Sequence, residues 1–191
     1  MMDDVLFNPD HREFLQLLNK HEVDYLLIGG VAVNLHGYHR STGDFDVFIG
    51  STTDNKQKLV AAIEEFGYDP YEYQRRTVDE ITMFTLGERD GKGHIELTNR
   101  IAGITFDEAF QRVQVKEVEG IPVKFFHYDD LIRSKLAAGR FKDLSDVENL
   151  REIKRAETIK EDQEDDTTTS DDSQLTLWER IKSIMFPKNE G

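Results

Sequence analysis

The 191-residue chain carries a net charge of −14, with 38% apolar and 32% charged residues and no cysteine. That composition suits one soluble domain with a modest core and an appendage, and it excludes a disulfide scaffold, a thiolate metal site and a cysteine nucleophile. The N-terminus lacks the basic and apolar regions of a signal peptide, and no apolar run approaches the roughly 20 residues of a membrane helix, so a cytoplasmic location away from membranes is expected. Half of the net charge lies between Glu157 and Asp172, where eight acids face Lys160 alone among bases. An acidic surface disfavours broad binding to a phosphate backbone, which needs Lys and Arg to displace counterions. Arg75, Arg76, Arg133, Lys135, Arg140 and Lys142 can still supply a local basic cleft.

In chain order, Asn8-Pro9-Asp10 starts a helix whose apolar stripe is Phe14, Leu15, Leu17 and Leu18, running to about Lys20. The apolar run 25–28 stops at Gly29-Gly30 and reads as a buried strand entering a turn. Residues 31–36 predict a short helix closed by Gly37, and 44–49 a second strand. Residues 53–66 form an amphipathic helix by their spacing. Strands at 81–86 and 94–98 flank a polar hairpin loop, and a short helix covers 106–112. Strands at 114–118 and 121–126 flank Glu119-Gly120. Helices at 128–138 and 143–156 complete a domain spanning 1–156.

Residues 157–173 are acidic, Ser/Thr-rich and without apolar periodicity, and are expected to be a disordered linker. Beyond it, Leu175, Leu177, Trp178, Ile181, Ile184 and Met185 recur at helical spacing, predicting an amphipathic helix over 174–186. Its expected place is against its own domain or a second copy, with a partner protein's groove as the alternative.

The chemistry concentrates on carboxylates. Asp44 and Asp46 lie two apart in a strand, so both turn to one face with Cα atoms about 6–7 Å apart. Two such acids on a core strand repel one another unless a divalent cation lies between them. Oxygen ligands of this kind suit Mg²⁺ or Mn²⁺, which complete their shells with water and substrate phosphates. A two-metal arrangement needs a third carboxylate, and alternation in His94-Ile-Glu-Leu-Thr98 places Glu96 on the polar face. Upstream, Gly29-Gly30 follows a strand and opens a helix, where bare backbone N–H groups can hold phosphates.

The run Leu27-Ile-Gly-Gly-Val-Ala-Val-Asn-Leu-His36-Gly37-Tyr-His-Arg40-Ser-Thr42-Gly-Asp44-Phe-Asp46 resembles the signature of the polymerase-β-like nucleotidyltransferase superfamily. Within it, the pattern is most similar to the minimal, AbiEii-like toxin-type branch. Asp130-Leu-Ile-Arg-Ser-Lys135 with Arg140, Asp143 and Asp146 is similar to that branch's second motif, so the likeness covers residues 25–150. The resemblance implies an α+β nucleotidyltransferase fold, a short mixed sheet flanked by helices with further helices at the C-terminus. It implies metal binding by Asp44, Asp46 and Glu96, and nucleotide binding by Gly29, Gly30, Arg40 and Thr42. Lys135 matches the lysine that grips the triphosphate, and Asp143 an acid that orients it. Glu96 departs from the pattern, standing where the family commonly has Asp, and its longer arm changes its geometry as a general base.

The implied reaction moves a nucleoside monophosphate from an NTP to a hydroxyl of RNA, a protein or a small molecule. An antitoxin protein partner follows by analogy. The competing reading is a catalytically silent nucleotide-binding or protein-interaction module of the same fold. Of the remaining polar residues, His36 is expected to satisfy backbone groups at a helix end, while His94 and Thr98 share the carboxylate face. Arg75-Arg76 reads as a solvated loop or a cleft rim. Arg133 reads as solvated, and Asp146 as surface or helix-start chemistry. Phe125, Phe126, Leu131, Ile132 and Leu136 are expected in the core.

Overall fold

The structure, a computed structural model, describes residues 8–77, 80, 82–87 and 94–168. The first helix, α1 (Pro9–Lys20), begins as the sequence predicts: the Asn8 side chain accepts a hydrogen bond from the Asp10 N–H at 3.0 Å, and Phe14, Leu15, Leu17 and Leu18 are buried. Each of those side chains contributes roughly 1.5–3 kcal/mol on leaving water. Strand β1 (Tyr25–Leu27) is buried on both faces and leads into α2 (Gly29–Leu35). Strand β2 (Phe45–Ile49) returns antiparallel to β1, pairing Tyr25 with Ile49 and Leu27 with Val47.

Helix α3 (Thr53–Glu65) is capped by the Thr52 hydroxyl, which accepts from the Asn55 N–H at 3.1 Å. A short α4 (Tyr71–Gln74) follows. Strands β3 (Met83–Leu86) and β4 (Ile95–Thr98) pair antiparallel, as their alternation predicts, while the predicted loop between them falls at residues 88–93, outside the described residues. Helix α5 (Phe106–Phe110) starts on a reciprocal cap between Thr105 and Glu108. Strands β5 (Gln114–Val118) and β6 (Ile121–Phe125) meet at Glu119-Gly120, whose φ values of 49° and 75° supply the twist that a two-residue hairpin needs. Helix α6 (Tyr128–Ala138) ends at Gly139, at φ 64°, and α7 (Phe141–Thr168) follows.

The six strands form one mixed sheet in the order β3-β4-β2-β1-β6-β5. The β2–β4 and β1–β6 pairs are parallel, and the other pairs are antiparallel. Strand alternation sorts the side chains to two faces. Tyr25, Leu27, Phe45, Val47, Ile95 and Leu97 pack with α1 and α3, whereas Leu26 and Phe48 pack with α2, α5, α6 and the start of α7. Asp46 and Glu96, alternating with the first set, open on the second face. This mixed α/β architecture is the one expected from the pattern of elements.

The structure departs from the sequence reading at several points, among them the unpredicted α4 and the four that follow. Helix α2 starts at Gly29 rather than at 31, because the glycine backbone itself makes the turn out of β1. Strand β2 starts at Phe45, where the ladder to Ile95 begins, so Asp44 sits just ahead of the strand. Leu136 is exposed, not core: the buried stripe of α6 runs through Leu131, Ile132 and Lys135, and Leu136 falls at its margin. Residues 157–168, expected as disordered linker, are helical in backbone. Once α7 is nucleated each further residue adds a hydrogen bond, and Glu157, Lys160, Glu161 and Glu164 are good helix formers that support propagation despite the acidity. The expected helix at 174–186 lies outside the described residues.

By its contacts the chain divides into two compact units, residues 1–150 and 151–191. Asp44, Asp46, Glu96, Lys135, Asp143 and Asp146 all belong to the first. No helix among the described residues is long and apolar enough to cross a membrane.

Candidate active site

The parallel pairing of β2 with β4 sets Asp46 directly beside Glu96, with Phe45 beside Ile95. Asp44 and His94 immediately precede the two strands, and ligand atoms of Asp44, His94 and Glu96 all lie within 4.8 Å of one another. His94 Nε2 is 3.1 Å from Glu96 Oε1. Burial, then the neighbouring carboxylates of Glu96 and Asp44, push the Asp46 carboxyl up to about 6, against the partial relief of Arg140 and Lys135. The three predicted acids therefore converge, and their mutual repulsion is incompletely compensated by protein groups.

The opposite wall is cationic. Lys135 on α6 is buried, its Nζ donating to Asp143 Oδ1 at 3.2 Å and to Asp146 Oδ2 at 2.7 Å. Arg140 donates through Nε to Asp143 Oδ2 at 2.6 Å. Arg40 closes the chain of charges with a two-pronged contact to Asp146, Nε to Oδ1 at 2.7 Å and Nη2 to Oδ2 at 2.8 Å. Burial raises the pKa of Asp143 and Asp146, but hydrogen bonds from Arg140 and Lys135 to the former, and from Arg40 and Lys135 to the latter, outweigh it and hold both below the usual carboxylate range. A cleft of about 250 Å³ lies between the walls, lined by Gly29, Asp46, Glu96, Lys135, Arg140 and Asp143 among others. Its ionisable lining is three acids (Asp46, Glu96, Asp143) against three bases (Arg100, Lys135, Arg140).

The glycine turn fits this arrangement for a steric reason. Gly29 has φ 59°, and a Cβ added there would overlap the Asp46 carboxylate. A Cβ on Gly30 would overlap the Thr42 side chain and approach an Arg40 guanidinium nitrogen to 3.1 Å. Gly29 thus lines the cleft, whereas Gly30, Arg40 and Thr42 pack together beside it. Gly29→Ala is expected to cost about 1–3 kcal/mol of stability in chemical denaturation, from left-handed backbone strain plus the clash. Gly43→Ala, where the added Cβ meets nothing within 4 Å, should stay within about 0.5 kcal/mol of the parent. Equal losses for the two would remove the steric account of the turn.

Other polar residues serve the scaffold. His36 caps α2, with Nε2 2.8 Å from the Phe126 carbonyl, as expected of a helix-end histidine. The Thr98 hydroxyl contacts the carbonyls of Thr82 and Arg100 at 2.8 and 2.9 Å. Asn34, buried, exchanges two hydrogen bonds with the Arg40 backbone and so pins the loop that carries Thr42 and Asp44. Arg75 and Arg76 pair with Glu72 on the surface. Asp146, expected at the surface, is instead almost fully buried, joining Arg40 to Lys135. The available signal was the Asp143–Asp146 spacing, which sets both acids on one face of α7.

A mixed sheet bearing paired acids on adjacent parallel strands, opposite a buried lysine, defines the class to which the sequence comparisons also lead. Residues 10–164 match the family described as "Nucleotidyltransferase of unknown function (DUF6036)", and the chain belongs to that family. Among solved structures it is similar to an antigenic nucleotidyltransferase-like protein from Paracoccidioides brasiliensis, at 18% identity over 73% of this chain and 71% of that one, with a TM-score of 0.44. No curated protein matches the chain.

Proposed function

We propose that this nucleotidyltransferase-family chain is an active enzyme that transfers a nucleoside monophosphate from an NTP to a hydroxyl acceptor and releases pyrophosphate. The observation that carries the reading is the juxtaposition of Asp44, Asp46 and Glu96 across one cleft from Lys135. The donor set fits Mg²⁺ or Mn²⁺: oxygen-rich, crowded with like charge, and with the Asp46 carboxyl raised to about 6 by burial and then by Glu96 and Asp44. Such cations, when bound, supply charge neutralisation for the phosphates and lower the pKa of the attacking hydroxyl. They would also tip the balanced charges of the lining to net positive, as a triphosphate requires.

The chain's own groups divide the remaining work. Gly29 exposes backbone to the cleft, and Lys135 and Arg140 face the acids from the other side. Lys135 would hold the phosphates and Asp143 would keep its ammonium in place. Arg40 and Thr42, packed on Gly30, would shape the phosphate turn. The motif arrangement favours the AbiEii-like toxin-type branch, hence a cytoplasmic toxin-antitoxin or phage-defence component with RNA or protein as acceptor and an antitoxin protein as partner.

Incubation with labelled NTPs, Mg²⁺ or Mn²⁺ and an acceptor panel tests this. Label transfer or pyrophosphate release is expected, falling at least about 100-fold in Asp44→Ala, because loss of a metal ligand forfeits several kcal/mol of charge stabilisation. One observation favours the silent alternative: Lys135 already donates to two carboxylates. Tight NTP binding with no transfer to any acceptor would decide for it.

A further inference from the structure

Asp44 and His94 stand one step before their strands, and Asp46 and Glu96 one step inside them, on the same polar face. The parallel register therefore builds two rungs of potential ligands. The inner rung, Asp46 and Glu96, offers oxygen alone. The outer rung, Asp44 and His94, adds an imidazole nitrogen, and with Glu96 its ligand atoms fall within 4.8 Å of one another. Ligands around one cation at about 2.1 Å each lie at most about 4.2 Å apart, so small side-chain rotations close the set.

The state of the His94 ring points the same way. Nε2 lies 3.1 Å from Glu96 Oε1, so the nitrogen turned toward the carboxylates is the one placed to ligate a cation, with the ring's proton then on Nδ1. Nδ1 is buried and has no hydrogen-bond partner among the described residues. The imidazole stands among carboxylates whose like charges a bound cation would neutralise.

We infer that His94 is a metal ligand, forming with Asp44 and Glu96 a nitrogen-containing site that selects a first-row transition dication over Mg²⁺. The inference rests on the reading that these carboxylates hold divalent cations, and it makes the two rungs unequal. Imidazole suits transition dications, whereas Mg²⁺ takes oxygen ligands and sheds water reluctantly. The inner rung stays suited to Mg²⁺, and the outer rung discriminates against it.

The test uses the full chain, with Mn²⁺ as the paramagnetic probe. Electron spin-echo spectra of bound Mn²⁺ should carry a ¹⁴N coupling in the parent that vanishes in His94→Ala. Competition with Mg²⁺, read from the free Mn²⁺ signal, should show the Mn²⁺ preference falling at least about tenfold in His94→Ala, since even outer partners of a ligand are worth about 10–100-fold in affinity. His94→Asp should bind Mg²⁺ more tightly than His94→Ala does. Thermal unfolding in EDTA verifies that the variants fold, and the parent's ¹⁴N coupling decides the matter even where they do not. Bound Mn²⁺ lacking the coupling, yet released by Asp44→Ala and Glu96→Ala, overturns the role of His94 and leaves the metal reading standing. Binding unchanged by the carboxylate variants, or no binding at all, overturns both.

Discussion

Asp46→Asn should unfold at a higher temperature than the parent chain in metal-free buffer at pH 8. The Asp46 carboxyl titrates at about 6 in the folded chain, against a reference of 3.8, chiefly because it is buried and then because Glu96 and Asp44 repel its charge. A folded pKa above the unfolded one means that the folded state binds more protons between those values, so stability falls as pH rises through that window. Well below the reference value of 3.8 the group is neutral in both states, and well above about 6 the full penalty applies. At 1.36 kcal/mol per unit the penalty is of order 2–3 kcal/mol, which the neutral amide avoids. For a chain of this size that is roughly 4–10 °C.

The sign depends on both pH and cation. Between pH 8 and pH 5 the advantage of Asp46→Asn should shrink by about half, as the parent's own carboxyl takes up its proton. Added Mg²⁺ or Mn²⁺ should stabilise the parent and barely move the variant, because ligand binding to the folded state raises stability by mass action. A stabilising substitution at a site residue is a signature of function, since selection keeps the costly charge for use rather than for folding. Differential scanning at three pH values, with and without cation, measures all of this. An Asn variant less stable than the parent at pH 8 would place the Asp46 carboxylate among structural acids.

The legible part of this site was the part written in short-range periodicity. Asp46 and Glu96 could be placed because strand alternation sets them opposite the buried Val47 and Leu97, whereas Asp44 lies one residue ahead of the ladder that alternation describes. Helix α1 was equally readable, since its cap and stripe lie within 11 residues of chain, from Asn8 to Leu18. Asp146 was not. Within Asp143-Leu-Ser-Asp146-Val-Glu it looks like the solvated acid of a charged helix, and its partner Arg40 lies 106 positions away. Leu136 failed for the converse reason: Lys135 takes the inward position because two acids await it, displacing the apolar stripe that spacing alone suggests. The helical backbone over 157–168 reflects propagation from α7, which composition weighs as disorder.

Asp146→Ala should be the most damaging single change at the site. Its carboxylate, nearly inaccessible to solvent, is shared between Arg40, through both oxygens, and Lys135 at 2.7 Å. Removing one partner from buried ion pairs leaves uncompensated charge and costs about 3–5 kcal/mol. Asp143 can still pair with Lys135, but Arg40 would have lost its two strong hydrogen bonds. The expected fall in melting temperature is roughly 6–20 °C. The acid dependence has the opposite sign to that of Asp46. A pKa held below its unfolded value contributes stability above that value and loses it as pH falls through the folded one, so the parent's advantage over Asp146→Ala should fade below about pH 4. A cycle with Arg40→Ala isolates the pair: coupling of about 0.5–3 kcal/mol is expected for residues in one network. The functional consequence follows from where the network leads. Arg40 anchors the loop before β2, and Lys135 forms the opposite wall, so Asp146 sets the distance between phosphate turn and lysine. A loss under about 0.5 kcal/mol, the value for a solvated helix acid, would return Asp146 to the surface role its local sequence suggests.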